Sequence, residues 1–206
     1  MSAGARERAT AFAPASVGNV AIGFDILGFA VDALGDRVTV TRRAEPGVEI
    51  SAVRGIAGEL PREARDNTAG RALLAMQEAV RPGFGLRVEI DKGIPLGSGL
   101  GGSAASAVGA VVAANALLPR ACAPLQLLQF AMAGEAVASG TRHVDNIAPS
   151  LFGGLVLTVG IDHPRVKQIP VPAAIRAVIV HPHMFLATSK ARAMLKLNVQ
   201  LSDFVW

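Results

Sequence analysis

Residues Ile94–Asn115 read IPLGSGLGGSAASAVGAVVAAN. Gly97, Gly99, Gly101 and Gly102 lead without a break into a stretch of Ala, Val and Ser. Glycine costs a helix about 1 kcal/mol relative to alanine, so a glycine tract abutting a helix-forming run marks a loop whose backbone must approach something closely. Just upstream, Leu86, Val88 and Ile90 alternate with Arg87 and Glu89, the period of a strand. Strand, glycine loop and helix together place main-chain amides and the positive end of a helix dipole where an anion can be received. The bland alternative is a tight turn before an alanine-rich core helix.

Two familiar phosphate sites fit poorly. Gly97-Ser98-Gly99-Leu100-Gly101-Gly102 satisfies G-x-G-x-x-G. A dinucleotide site, however, wants an acidic residue about 20 positions on for the ribose, and none lies between Ser103 and Gly134. No Gly-Lys-Ser/Thr follows, so the P-loop pattern is absent as well.

Working outward, Asp36–Arg42 alternates Val38 and Val40 with polar neighbours. Glu45-Pro46-Gly47 is a turn and Val48–Ile50 resumes the alternation, which predicts a hairpin. Asp66 or Asn67 caps a helix that carries Ala69, Leu73, Met76 and Val80 on one stripe and closes at Pro82-Gly83. Helices are predicted over about 103–118 and 124–138, buried strands at Leu155–Val159 and Ala177–Val180, and a helix over Thr188–Leu197. Ser202 or Asp203 resembles a helix cap followed by apolar residues, so the chain is expected to stop inside an element.

Composition narrows the function classes. Of 206 residues, 51% are hydrophobic, enough for a substantial core. The longest apolar run, Ser103–Leu118, is mostly Ala, Gly and Ser, which suits a packed helix and not a spanning one. The first ten residues lack the apolar segment of a secretory signal, and Cys122 is a single cysteine, so a reducing, cytoplasmic location is expected. Twenty basic against 16 acidic residues is a mild excess, with no Tyr and one Trp. That argues against nucleic acid and membrane partners and suits an anionic small molecule.

The tract PLGSGLGGSAA resembles the phosphate loop of the GHMP kinases. PASVGNVAIGFDILGFAVD, Pro14–Asp32, and GEAVASGTRHVDNIAPSLFGG, Gly134–Gly154, resemble the first and second blocks of the homoserine kinases within that family. HPHMFLATSKARAML, from His181, resembles a third stretch. Gly18-Asn19-Val20-Ala21-Ile22-Gly23-Phe24-Asp25 departs from the family's Ala-Asn-Leu-Gly-Pro-Gly-Phe-Asp, and Gly102-Ser103 replaces its Ser-Ser pair. The family's glycine-rich motif near the C-terminus has no counterpart here.

The resemblance implies an α+β GHMP kinase fold. An N-terminal domain like ribosomal protein S5 domain 2 would span residues 1–154 and bind ATP and acceptor. The incomplete start of a ferredoxin-like C-terminal domain would span 155–206. It further implies ATP-dependent phosphorylation of the side-chain hydroxyl of L-homoserine, with Mg2+ and a place in threonine biosynthesis. Another GHMP small-molecule kinase, or an inactive nucleotide-binding fragment, are the alternatives. A homodimer is compatible with either.

The resemblance also distributes roles. Asn67 and Pro95, Leu96, Gly97, Ser98, Gly99, Leu100, Gly101, Gly102, Ser103, Ala104 and Ala105 fall to ATP. Ser103 and Glu135 fall to the metal; Glu135 is also the first carboxylate after the acid-free stretch from Ser103. Asn19, Asp25, His143, Thr188 and Arg192 fall to the acceptor, the amide and carboxylate suiting an amino acid's hydroxyl and ammonium and the guanidinium its carboxylate. Ser16 and Asn146 stand where mevalonate kinase relatives carry a catalytic Lys and Asp. Neither is a general base at neutral pH, so a base-free transfer is expected.

Overall fold

In a computed structural model the described residues are 6–56, 60–139, 144–160, 162–182, 188–195, 198, 200 and 202. The elements run β1 (Arg8–Val17), β2 (Leu27–Arg43), β3 (Val48–Gly55), α1 (Thr68–Val80), β4 (Gly85–Lys92), α2 (Gly102–Asn115), α3 (Pro124–Ser139), α4 (Ile147–Phe152), β5 (Leu155–Val159), β6 (Arg165–Ile169) and α5 (Thr188–Ala193). This is the expected α+β class: one mixed six-stranded sheet with helices packed on it. Among the described residues no helix is long and apolar enough to cross a membrane.

The 17-residue β2 organises the sheet. Phe29 pairs with Val17 of β1 and with Leu155 of β5, and Val38 pairs with Ala11 of β1 and Ile90 of β4. So β1 runs along one edge of β2, while β4 and β5 share the other edge at opposite ends. Leu155, where a second domain was expected to begin, therefore opens a strand of this same sheet.

The predicted hairpin does not form. β3 pairs in parallel with β4, and β4 lies between β3 and β2. The turn at Glu45–Gly47 is present, but its carbonyls face β4: the Leu86 N–H donates to Gly47 O at 2.9 Å, and a Cβ on Gly85 would overlap Glu45 O. The strand after α1 competes for both edges, and β3-α1-β4 becomes a crossover unit. A second correction concerns Ala177–Val180. These residues form no strand, and Val178 and Val180 are 88% and 82% exposed. An apolar run becomes a buried strand only where a sheet edge and a cover are available, and no described element supplies them. α5 covers the first six residues of the helix predicted from Thr188.

α2 is buried almost all round: Ala104 to Val111, Ala113 and Ala114 are all buried. Its neighbours are α1 and α3 on one side and β1 and β2 on the other. β1 turns Ala13 and Ala15 toward it, and a Cβ on Gly109 would press into Val38. Small side chains let the helix lie close to the sheet, which explains the composition of the opening stretch. A helix uniform in apolarity is a central one.

Candidate active site

The N-termini of α1 and α2 are built differently. At α1 the Asn67 Oδ1 accepts from the Ala69 and Gly70 N–H groups at 3.0 and 3.2 Å, and its Nδ2 donates to Pro61 O at 2.8 Å. At α2 the N-cap is Gly101, in the left-handed region at φ 67°, and no side chain caps the helix. The first backbone bond runs from the Ala105 N–H to Gly101 O. The amides of Gly102, Ser103 and Ala104 precede the intrahelical ladder. A Cβ at Gly101 would overlap Ser16 Oγ and Asn146 Oδ1, so conformation and space both demand glycine there.

This helix end opens on a cavity of about 270 Å3 lined by residues 95–99 and 101–103 with Gly18, Asn19, Asp25, Glu135, Asp145, Asn146 and Arg192. Residues far apart in sequence thus meet around one space. Ser16 stands behind its wall, donating to Asn146 Oδ1 at 3.0 Å while its own N–H donates to Leu100 O at 3.1 Å. The turn from Asn19 to Asp25 holds three non-glycine residues at positive φ: Asn19, Ala21 and Asp25 at 55°, 50° and 61°. Such strain persists only where the surroundings enforce it. Here the Asn19 N–H donates to Asp145 Oδ2 and the Asp25 N–H to Asn19 Oδ1, both at 3.0 Å. Arg192 of α5 pairs with Asp25 and lies over the Phe24 ring, 5.1 Å from its centroid. Two expected acceptor residues therefore hold each other across the cavity mouth.

Leu100, Ala104 and Ala105 are buried in the loop and first helical turn, outside the lining. Asn67 faces an adjoining cavity of about 260 Å3 that shares Leu96, Gly102 and Ser103 with the first. His143 lies outside the described residues; Thr188 opens α5.

Glu135 is buried on α3. Burial pushes its carboxyl up to about 7, against a hydrogen bond from Ser103 that lowers it, and the charge of Asp145 raises it further. A hydroxyl and a buried carboxylate facing a polar cavity are hard oxygen donors of the kind Mg2+ takes alongside water and phosphate. Among the described residues no group of three or more His, Cys, Asp or Glu forms a complete metal cage. The donor set fits a cation whose shell is shared with a ligand.

Sequence reasoning overlooked a buried cluster under the loop. Lys92, Asp36 and Ser106 are all interior and hydrogen-bonded together. The signal was present: extending the alternation of Leu86, Val88 and Ile90 by one step points Lys92 inward, and stepping back from Val40 and Val38 does the same for Asp36. Asp145, which carries Asn19, was also left out of the expected site.

A family model described as GHMP kinases N terminal domain matches residues 67–154. The chain has the GHMP kinase fold. It is 52% identical over 204 residues to the homoserine kinase of Xylella fastidiosa (strain 9a5c), covering 99% of this chain and 62% of that protein. It is 53% identical over 202 residues to the homoserine kinase of Xanthomonas campestris pv. campestris, with 98% and 62% covered. The crystal structure of homoserine kinase from Cytophaga hutchinsonii superposes with a TM-score of 0.91 at 44% identity, covering 97% of this chain and 64% of that one. The GHMP kinase fold is therefore established, and the chain spans about 62% of the length of these curated relatives.

Proposed function

We propose that this chain carries the nucleotide and acceptor sites of a cytoplasmic homoserine kinase, which transfers the γ-phosphoryl group of ATP to the side-chain hydroxyl of L-homoserine and serves threonine biosynthesis. The observation that carries the reading is the uncapped start of α2, opening on a cavity whose far wall presents Asn19, Asp25 and Arg192. One side suits anionic oxygens and the other a zwitterionic amino acid. The kinship with homoserine kinases over nearly the whole chain supports the same acceptor.

In this reading the amides from Gly97 to Ser103 hold the β- and γ-phosphates, and the adjoining cavity beside Asn67 takes the nucleoside. Asn19 and Asp25 orient the acceptor's hydroxyl and ammonium, and Arg192 exchanges its partner Asp25 for the acceptor carboxylate. Ser103 and Glu135 hold Mg2+, which when bound neutralises phosphate charge. Ser16 and Asn146 are bonded to each other and position the hydroxyl without removing its proton. The chemistry then rests on alignment and on the fixed dipole of α2, and the proton leaves to phosphate or solvent.

The test is ADP formation with and without L-homoserine, followed by a pH–rate profile. Acceptor-dependent ADP release is the expected result. Nucleotide binding without turnover supports the reading of a binding fragment instead. One essential carboxylate-like pKa in the unmodified protein, absent from Asp145→Asn, overturns the base-free account.

A further inference from the structure

Lys92 is buried at the end of β4, and its ammonium has three acceptors: Asp36, Gly102 O at 2.7 Å and Ser106 Oγ at 2.9 Å. A lysine has three N–H donors, so none remains for a ligand. Asp36 is equally occupied. Its Oδ2 accepts from Lys92 and from Ser106 Oγ at 2.8 Å, and its Oδ1 accepts from the Gly93 and Ile94 N–H groups at 3.0 and 3.3 Å. The three side chains form a closed ring in which each donor meets an acceptor. A buried ion pair is costly unless its geometry and hydrogen bonds are complete. Here they are, and burial still presses the lysine toward neutrality, while its contact with Asp36 opposes that shift.

The backbone partners reveal what the ring does. Gly93 and Ile94 are the residues entering the glycine loop, and Gly102 is the first residue leaving it. One ring of side chains therefore grips both ends of a segment with Gly97, Gly99 and Gly101 at positive φ between them. Such a segment loses more backbone freedom on ordering than any other. The geometry points to Asp36, Lys92 and Ser106 as positioning residues: a buried tie that fixes both ends of the 95–101 loop and so aims its amides before a nucleotide arrives. The inference rests on the phosphate-binding reading of that loop. Lys92 and Ser106 also border the adjoining cavity, but their polar atoms are spent on the protein, and it is through the loop that they are assigned part of the affinity for nucleotide.

The test uses Lys92→Met, Ser106→Ala and the unmodified chain. Calorimetry measures binding of the ATP analogue AMP-PNP with Mg2+ and, separately, of L-homoserine. Hydrogen exchange follows the amides of 97–101. Lys92→Met is expected to weaken AMP-PNP by about tenfold and Ser106→Ala by about threefold, with homoserine binding changed by less than about twofold, because preorganisation is lost at one side of the site only. Loop amides exchange faster in both variants without nucleotide. If Lys92→Met does not fold, Ser106→Ala carries the test, since it deletes one hydroxyl and leaves the ion pair. Unchanged loop exchange and AMP-PNP affinity in a folded variant overturn the tie. An equal loss for both ligands also overturns it, as that marks general destabilisation. If the unmodified chain binds no AMP-PNP, the phosphate reading fails, and the exchange measurement still decides whether the ring orders the loop.

Discussion

The N-termini of α1 and α2 lie side by side in one fold and are finished in opposite ways. Asn67 satisfies the first amides of α1 with its own side chain, and the end is closed. Gly101 offers the first amides of α2 nothing, and the end faces a polar cavity. Capping is worth about 1 kcal/mol, so leaving a central helix uncapped is a sacrifice of stability at the place where a ligand can restore it. The contrast also separates two kinds of glycine: Gly70 and Gly109 inside helices make room for neighbours, whereas Gly101 makes a conformation.

The strongest way to break this contrast is Gly101→Val. A branched side chain at φ 67° is strained and meets Ser16 and Asn146. AMP-PNP affinity is expected to fall by about 100-fold, roughly 2.7 kcal/mol, with a lowered melting temperature. Full affinity in calorimetry would mean that the open end of α2 is not where phosphate binds.

Glu135→Gln tests the other side of the open end. The carboxyl is raised from 4.5 to about 7 in the fold. A raised acid pKa means the folded state holds the proton more tightly than the unfolded chain. Its contribution to stability is therefore fully present below about 4.5 and is lost as pH rises through about 7. Unfolding by urea across pH 4.5–8 should show this decline in the unmodified chain and a flatter profile in Glu135→Gln. The variant should also lose the increase in AMP-PNP affinity that Mg2+ gives. Parallel profiles in the two proteins would show that the fold does not raise the Glu135 carboxyl.

The sequence made much of this legible, and the reasons differ by region. Thr68–Val80 was readable because cap, stripe and stop signals agree. The glycine loop was readable because a glycine cluster between a strand and a helix has few uses. β1 escaped notice because its inward face is alanine, which contrasts weakly with its neighbours. The order β3-β4-β2 was not readable: alternation identifies strands but carries no information about which edges pair. The Lys92–Asp36 pair was missed because charges at strand ends are ordinarily solvated, and only the period of the strand places these two inside.

The closed end gives a smaller effect. Asn67→Ala removes two accepted hydrogen bonds and leaves Pro61 O without its donor. A loss of about 1–2 kcal/mol is expected in urea denaturation. The proposed contact with the adenine ring adds a second readout. Competition between AMP-PNP and inorganic triphosphate, which lacks the base, should shift toward triphosphate in the variant. If the ratio of the two affinities is unchanged, the cap is the whole role of Asn67.

The smallest effect is a gain, and it serves as the control for all the others. Arg81, the C-cap of α1, is exposed and sits at φ 50°, ψ 62°, with its N–H donating to Gln77 O. Arg81→Gly keeps that backbone bond. It relieves a left-handed cost of roughly 1–2 kcal/mol, partly offset by the greater freedom of glycine in the unfolded chain. The net expectation is about 0.5–1 kcal/mol of stabilisation in urea, with AMP-PNP affinity unchanged, because the far end of α1 touches neither cavity at the loop. A rise in stability that also raises nucleotide affinity would mean that binding follows the global fold, and the distinction between a closed and an open helix end would lose its functional content.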